Sequence, residues 1–202
     1  MLRATSHNYR MALHNIGFGR QKEMASHYRP IVIWFHWLMA VMLVTVCLSM
    51  EFISLYPKGS SGRTLMLSTH YLLGLVILIL AVIRLWLWWR SEPIEKPDHG
   101  PMQKYVARAV FILLYGLMIT LPIIGWVDIG LWDVTVSALG WQLPQIASPD
   151  SVIAEELSQI HFLMAKTGYG LVGLHGTAAL YHHFILKDAT LKRMLPRFRQ
   201  RA

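Results

Sequence analysis

His161-Phe-Leu-Met-Ala-Lys-Thr-Gly-Tyr-Gly-Leu-Val-Gly-Leu-His175 is the stretch on which the fold turns. Its two histidines stand fourteen residues apart in an apolar segment. That interval is almost four helical turns, so both imidazoles leave one face of one helix. At roughly 1.5 Å of rise per residue they lie about 21 Å apart along its axis. A bilayer core about 30 Å thick then holds one histidine towards each side. His36 and His70 sit in two other apolar segments, each near the end that can meet one of this pair. The pattern predicts an all-α, integral membrane four-helix bundle with two bis-histidine b-type haems stacked inside it.

Composition points the same way. Of 202 residues, 54% are apolar and 15% charged, whereas soluble domains average about 45–50% and about 25%. The single cysteine, Cys47, excludes an internal disulfide, and no Cys-x-x-Cys-His offers covalent haem attachment. Any haem is therefore held noncovalently. A net charge of +8 is compatible with nucleic acid, but the cations cluster beside apolar runs, so contact with the lipid bilayer and its headgroups explains them and no nucleic-acid partner is expected.

Residues 1–30 form a polar, basic leader, containing Arg3, Arg10, Arg20, Lys22 and Arg29. It lacks the layout of a signal peptide, because the first apolar run begins only at Ile31 and no small-residue cleavage site follows. A later start at Met11 or Met24 is an equal alternative, and the leader is assigned no function. The haem-carrying domain is expected over residues 31–186. Its first span is Ile31–Met50, twenty positions without formal charge, with His36 near its start. Glu51–Arg63 reads as a loop rich in turn formers, Pro57, Gly59 and Gly62 among them. A second helix from about Leu65 carries His70 in its first turns and ends in Arg84, Trp86, Trp88, Trp89 and Arg90. These residues resemble an interfacial belt, and alternatively they line a quinone headgroup site.

Ser91–Pro101 holds three prolines and connects to a third helix over about Met102–Val127, where Pro122 is expected to introduce a kink. The next connection, up to about Glu156, carries Asp128, Asp133, Asp150, Glu155 and Glu156 and no Lys or Arg. A fourth helix over about Leu157–Leu186 precedes a basic tail, residues 187–202. Positive charge thus gathers in the leader, the second connection and the tail, which predicts cytoplasmic termini for a multi-pass membrane protein. Lys58 and Arg63 run against that bias. Depth then pairs His70 with His161 on the outer side and His36 with His175 on the inner side. An imidazole on each face of iron leaves no open coordination position, which suits electron transfer. The competing reading, hydrogen-bonded histidines of a polar pathway or proton-coupled transporter, has to explain four at matched depths. Gly74, Gly168, Gly170, Gly173 and Gly176 either leave room for a flat macrocycle or pack helices closely.

A resemblance enters at these residues. Phe35-His36-Trp37, Met50-Glu51-Phe52 with Tyr56-Pro57-Lys58, Thr69-His70, Leu121-Pro122-Ile123-Ile124-Gly125 and the His161–His175 stretch are similar to the bacterial diheme cytochrome b561 family, in particular to its superoxide oxidase branch. The ending Tyr181-His182-His183-Phe184, Lys187-Asp188, Thr190-Leu191 and Arg193-Met194-Leu195-Pro196 is the most specific part. The similarity covers about residues 28–197. It implies His36, His70, His161 and His175 as the ligands of two haem b groups, ubiquinone as electron acceptor, and His183 as the residue nearest to it. The leader and Lys166 depart from the branch's pattern.

The implied activity is that of an enzyme, a superoxide:ubiquinone oxidoreductase, releasing dioxygen outside. Lys58 and Arg63, cations in an acidic exterior and close in sequence to His70, then draw superoxide inward, unless they are two solvated loop charges. Lys166 either faces a haem propionate or incoming anion, or snorkels to the interface. His182 and His183 are placed to hydrogen-bond a quinone carbonyl and relay protons, against the plainer reading of a hydrated interfacial pair. The alternative function is an electron-transfer subunit between a partner dehydrogenase, a redox partner protein, and the quinone pool. His7, His14, His27 and His99 have no partners at a recognisable spacing.

Overall fold

The computed structural model describes residues 28–91, 100–138 and 141–196. The leader to residue 27, most of the second connection with His99, and Arg197, Arg199 and Arg201 lie outside the described residues. Four long helices make up the rest: α1 (Pro30–Glu51), α2 (Ser61–Trp89), α3 (Pro101–Leu131) and α4 (Ser151–Phe184). The protein is an all-α bundle, with a short antiparallel pairing of Ser137–Ala138 with Trp141–Gln142 among the described residues.

Local chemistry sets each start. Pro30 and Pro101 open α1 and α3, where a missing N–H removes no intrahelical bond. The hydroxyl of Ser60 accepts from Arg63 N at 3.3 Å to cap α2, and the Asp150 carboxylate accepts from Val152 N and Ile153 N at 3.0 and 3.1 Å to cap α4. These caps correct two expected boundaries. The first loop is shorter than Glu51–Arg63: Glu51 ends α1, Ile53–Leu55 makes a 3-10 turn, and Arg63 lies in the first turn of α2. The acidic connection is also shorter, because α3 continues past Asp128 to Leu131, and Glu155 and Glu156 are helical. The α3 helix runs through Pro122 without a break in its assignment.

Helices α1, α2 and α3 are long and apolar enough to cross a membrane. Their outward faces carry Val41, Val44, Leu48, Ile79, Val82, Ile112 and Leu113, all exposed, as a lipid-facing surface requires. The α4 helix, 34 residues and roughly 51 Å long, is less apolar because it carries histidines, glycines and Lys166.

Chain neighbours pack side by side, α1 on α2, α2 on α3 and α3 on α4. By contrast, the α4 backbone approaches α1 and α2 much less closely, its side chains meeting α1 at one end. Val32, Ile33 and Met39 on α1 and Ile77 and Ala81 on α2 are buried. The chain beyond α4 turns at Lys187, whose φ is +52°, and forms a 3-10 turn at Lys192–Met194. Trp37 Nε1 donates to the Met194 carbonyl at 2.6 Å, so the described part of the tail returns to the start of α1.

Candidate haem sites between the helices

The open seam along α4 is lined by four histidines. His70 lies nine residues into α2 and His161 ten residues into α4, at nearly equal depth. Their ring centroids are 6.1 Å apart with planes inclined at 66°. At the other level His36, six residues into α1, faces His175, nine residues before the end of α4. That pair is separated by 6.2 Å with an inclination of 70°. A first-row metal bonds imidazole at about 2.0–2.1 Å, and a ring nitrogen lies about 1.1 Å from its centroid, so two rings on opposite faces of one metal have centroids about 6.3 Å apart. Both pairs fit that spacing. Cβ atoms added at Gly74, Gly170, Gly173 or Gly176 would meet nothing within 4 Å, so these glycines are not pressed against a neighbouring helix. Gly168 has Leu117 at 3.6 Å, and Gly125 backs directly onto His161, whose Cε1 would be 3.2 Å from a Cβ there.

The surroundings of the two pairs differ. His70 Nδ1 lies 3.3 Å from the Val46 carbonyl. A carbonyl only accepts, so Nδ1 carries the proton and Nε2 keeps its lone pair for a metal. His161 is likewise set against a backbone carbonyl, that of Leu121, with its Nδ1 buried and making no closer bond among the described residues. His36 Nδ1 instead meets Arg84 Nη2 at 3.0 Å. Arg84 was expected in the interfacial belt; its half-buried guanidinium points into the bundle, 5.5 Å over the Tyr115 ring, with Nε buried and unpartnered among the described residues. Trp86, Trp88, Trp89 and Arg90 keep the exposed position of a belt. A signal existed in the sequence: Arg84 follows His70 by fourteen residues, the interval that separates His161 from His175.

The family model described as prokaryotic cytochrome b561 matches residues 27–197. The chain belongs to the prokaryotic cytochrome b561 family. It is 35% identical over 166 residues to cytochrome b561 homolog 1 of Escherichia coli, covering 82% of this chain and 94% of the relative. It is 32% identical over 177 residues to the probable superoxide oxidase CybB of Yersinia pestis, covering 87% and 99%. Cytochrome b561 homolog 2 of Escherichia coli is 33% identical over 172 residues, 83% and 90%. Membership makes this a membrane cytochrome of electron transfer that binds b-type haem.

The remaining candidates in this cytochrome b561 fall at the two ends of the bundle. At the end where α2 and α4 begin, Lys58 is exposed. Arg63 Nη1 donates to the carbonyls of Ile53 and Tyr56 at 3.2 and 3.4 Å, holding the 3-10 turn. Lys166 Nζ meets Glu51 Oε1 at 2.6 Å, close to the rings of Phe162 and Tyr169, and the side chain stays partly exposed. That ion pair ties α4 to α1, a partner the sequence reading did not name. Its signal, an acid at the end of one apolar span facing a cation in another, is not readable without the pairing of helices.

At the opposite end the two adjacent histidines separate in role. His182 Nδ1 is 2.5 Å from Asp188 Oδ2. Burial raises the Asp188 carboxyl, but hydrogen bonds from His182 and Thr190 outweigh it and hold it at about 2. His183 Nδ1 is buried with no partner among the described residues.

Proposed function

We propose that this cytochrome b561 is a superoxide oxidase of a bacterial inner membrane, taking electrons from superoxide at the outer face and delivering them to ubiquinone at the cytoplasmic face. The observation that carries the reading is the pair of histidine couples, each at metal-bridging distance, set at two depths in a seam left open by α4. Two haem b groups, one at His70 and His161 and one at His36 and His175, would supply one-electron transfer between the two faces. Because the chain itself would supply two histidines to each haem, from two different helices, the bound group would supply electron transfer rather than oxygen binding.

Lys58 is the exposed cation at the outer end, and it raises the local concentration of an anionic substrate. Arg63 adds its charge to the same field while its donors hold the turn. At the inner end the free Nδ1 of His183 is available to hydrogen-bond a quinone carbonyl. His182, held by Asp188, stands beside it as a proton-handling group. The balance is two superoxide ions leaving as two dioxygen molecules, and one ubiquinone taking two electrons and two protons to become the quinol. Cytoplasmic termini follow from the basic leader and tail. The relative named as a probable superoxide oxidase, at 32% identity over nearly its whole length, supports the substrate.

Stopped-flow absorbance of the purified oxidised protein mixed with superoxide tests the reading. Fast growth of a reduced b-type band, reoxidised only when a ubiquinone analogue is present, is the expected result. Haems that stay oxidised with superoxide but reduce with dithionite would show an electron-transfer subunit that needs a partner dehydrogenase.

A further inference from the structure

Arg84 is a guanidinium inside a membrane helix with no carboxylate partner among the described residues. Its contacts are Nδ1 of His36 at 3.0 Å and the face of Tyr115, and its Nε is buried without an acceptor. A guanidinium has five donors and no acceptor, and a cation within a bilayer persists where something anionic or strongly accepting answers it. One histidine nitrogen does not answer five donors.

The His36 contact also conflicts with metal binding. A neutral imidazole has one lone pair, and Arg84 takes it at Nδ1. A metal between His36 and His175 needs that lone pair at Nε2, which moves the ring proton to Nδ1 and turns Nδ1 from acceptor into donor. Arg84 must then find another acceptor at the same depth. The group that fills the seam brings its own, since a b-type haem carries two propionate carboxylates, and a carboxylate matches the guanidinium fork in two hydrogen bonds.

We propose that Arg84 clamps a propionate of the haem held by His36 and His175, and that its charge raises that haem's reduction potential above that of the haem at His70 and His161. This rests on the two-haem reading given above. Reduction makes a haem one unit more negative, which a fixed cation stabilises strongly where the dielectric is low. At the other level the Nδ1–H of His70 donates to a carbonyl, which makes the imidazole more basic and favours the oxidised metal. Both effects send an electron from the Lys58 end towards His183.

The experiment is a mediated spectroelectrochemical titration of the purified two-haem protein, without superoxide or quinone, on wild type, Arg84→Gln and Arg84→Lys. A His161→Ala background, which keeps only the His36/His175 couple, assigns the wave. In Arg84→Gln that wave is expected to fall by more than tenfold in its reduction equilibrium, about 59 mV for one electron, with the other wave moving less than twofold. Arg84→Lys should fall between. Loss of one haem in Arg84→Gln with both retained in Arg84→Lys also supports the clamp. Loss of one haem in both variants, an assigned wave within twofold of wild type, or equal movement of both waves overturns it. A wild-type protein without any haem spectrum would sink the two-haem reading itself.

Discussion

The two histidine couples are near copies in their own geometry, with centroids 6.1 and 6.2 Å apart, and they differ in what stands behind them. Behind the His70/His161 couple are a backbone carbonyl at His70 and a glycine at His161. Behind the His36/His175 couple is a half-buried arginine. The ligand spacing is thus common to both levels, and the electrostatics are individual. A bundle that needs electrons to move one way can keep identical ligands and rank its sites through their neighbours.

The comparison breaks most severely when one couple is removed. Both couples draw one ligand from α4, so His161→Ala and His175→Ala should each reduce the haem content from two per chain to one, read as a pyridine haemochromogen. Reduction of the remaining haem by superoxide should persist in His175→Ala and collapse in His161→Ala. Equal loss of both haems from either variant would mean that the sites fold as one unit and the comparison between them has no content.

A backbone-sized change should separate the sites next. Gly125 leaves 3.2 Å between a Cβ and His161 Cε1, less than an ordinary contact. The inner couple has no such neighbour in α3. Gly125→Val should therefore push His161 off its partner, with most of the outer haem lost and the inner haem's spectrum and potential unchanged. Gly173→Ala, where a Cβ meets nothing within 4 Å, is the control and should keep both haems.

How far the sequence foretold this follows from the kind of information each feature needs. The helices and the histidine couples depend on local apolar runs and on intervals of fourteen residues, and both can be counted along one chain. His36 beside His175 follows from depth alone, because each helix end is marked by its charges and turns. What stayed hidden depends on which helix faces which. Glu51 and Lys166 are 115 positions apart, and their ion pair exists only because α1 and α4 meet at one end. The recruitment of Asp188 by His182 needs the chain reversal at Lys187. Arg84 was hidden for a different reason: beside three tryptophans and Arg90 it matches an interfacial belt, and only its phase with His70 sets it apart.

The ends of the bundle sharpen the comparison more gently. Lys58 is exposed at the end where α2 and α4 begin and holds no described partner, so under the proposed function its charge would act on substrate encounter and not on the fold. Lys58→Glu should slow reduction by superoxide about threefold or more at low salt, leave both haem potentials in place, and lose its effect as ionic strength rises. An unchanged rate at low salt would assign the encounter field to other groups.

The smallest effects should come from the two ties that close the ends, Glu51 with Lys166 at one and Asp188 with His182 at the other. The Glu51 pair is exposed on both sides, at 46% and 43% of the side chains, so Glu51→Gln should move the melting temperature by no more than about 2 °C. Asp188 is tied more firmly, through His182 and the N–H of Thr190 at 2.8 Å, and is held at about 2 against an ordinary 3.8. A carboxyl depressed in the folded state adds stability above its unfolded value and loses it as pH falls through the folded one. The melting temperature of wild type should therefore exceed that of Asp188→Asn by a constant margin from neutral pH down to about 5, and the two should converge between about 4 and 2. Because this tie holds the turn that carries Met194 back to Trp37, the substitution should loosen the inner end, seen as faster amide exchange there and not at the outer end. Equal loosening of both ends would show that the bundle opens as a whole, and the distinction between its two levels would then belong to the haem sites alone.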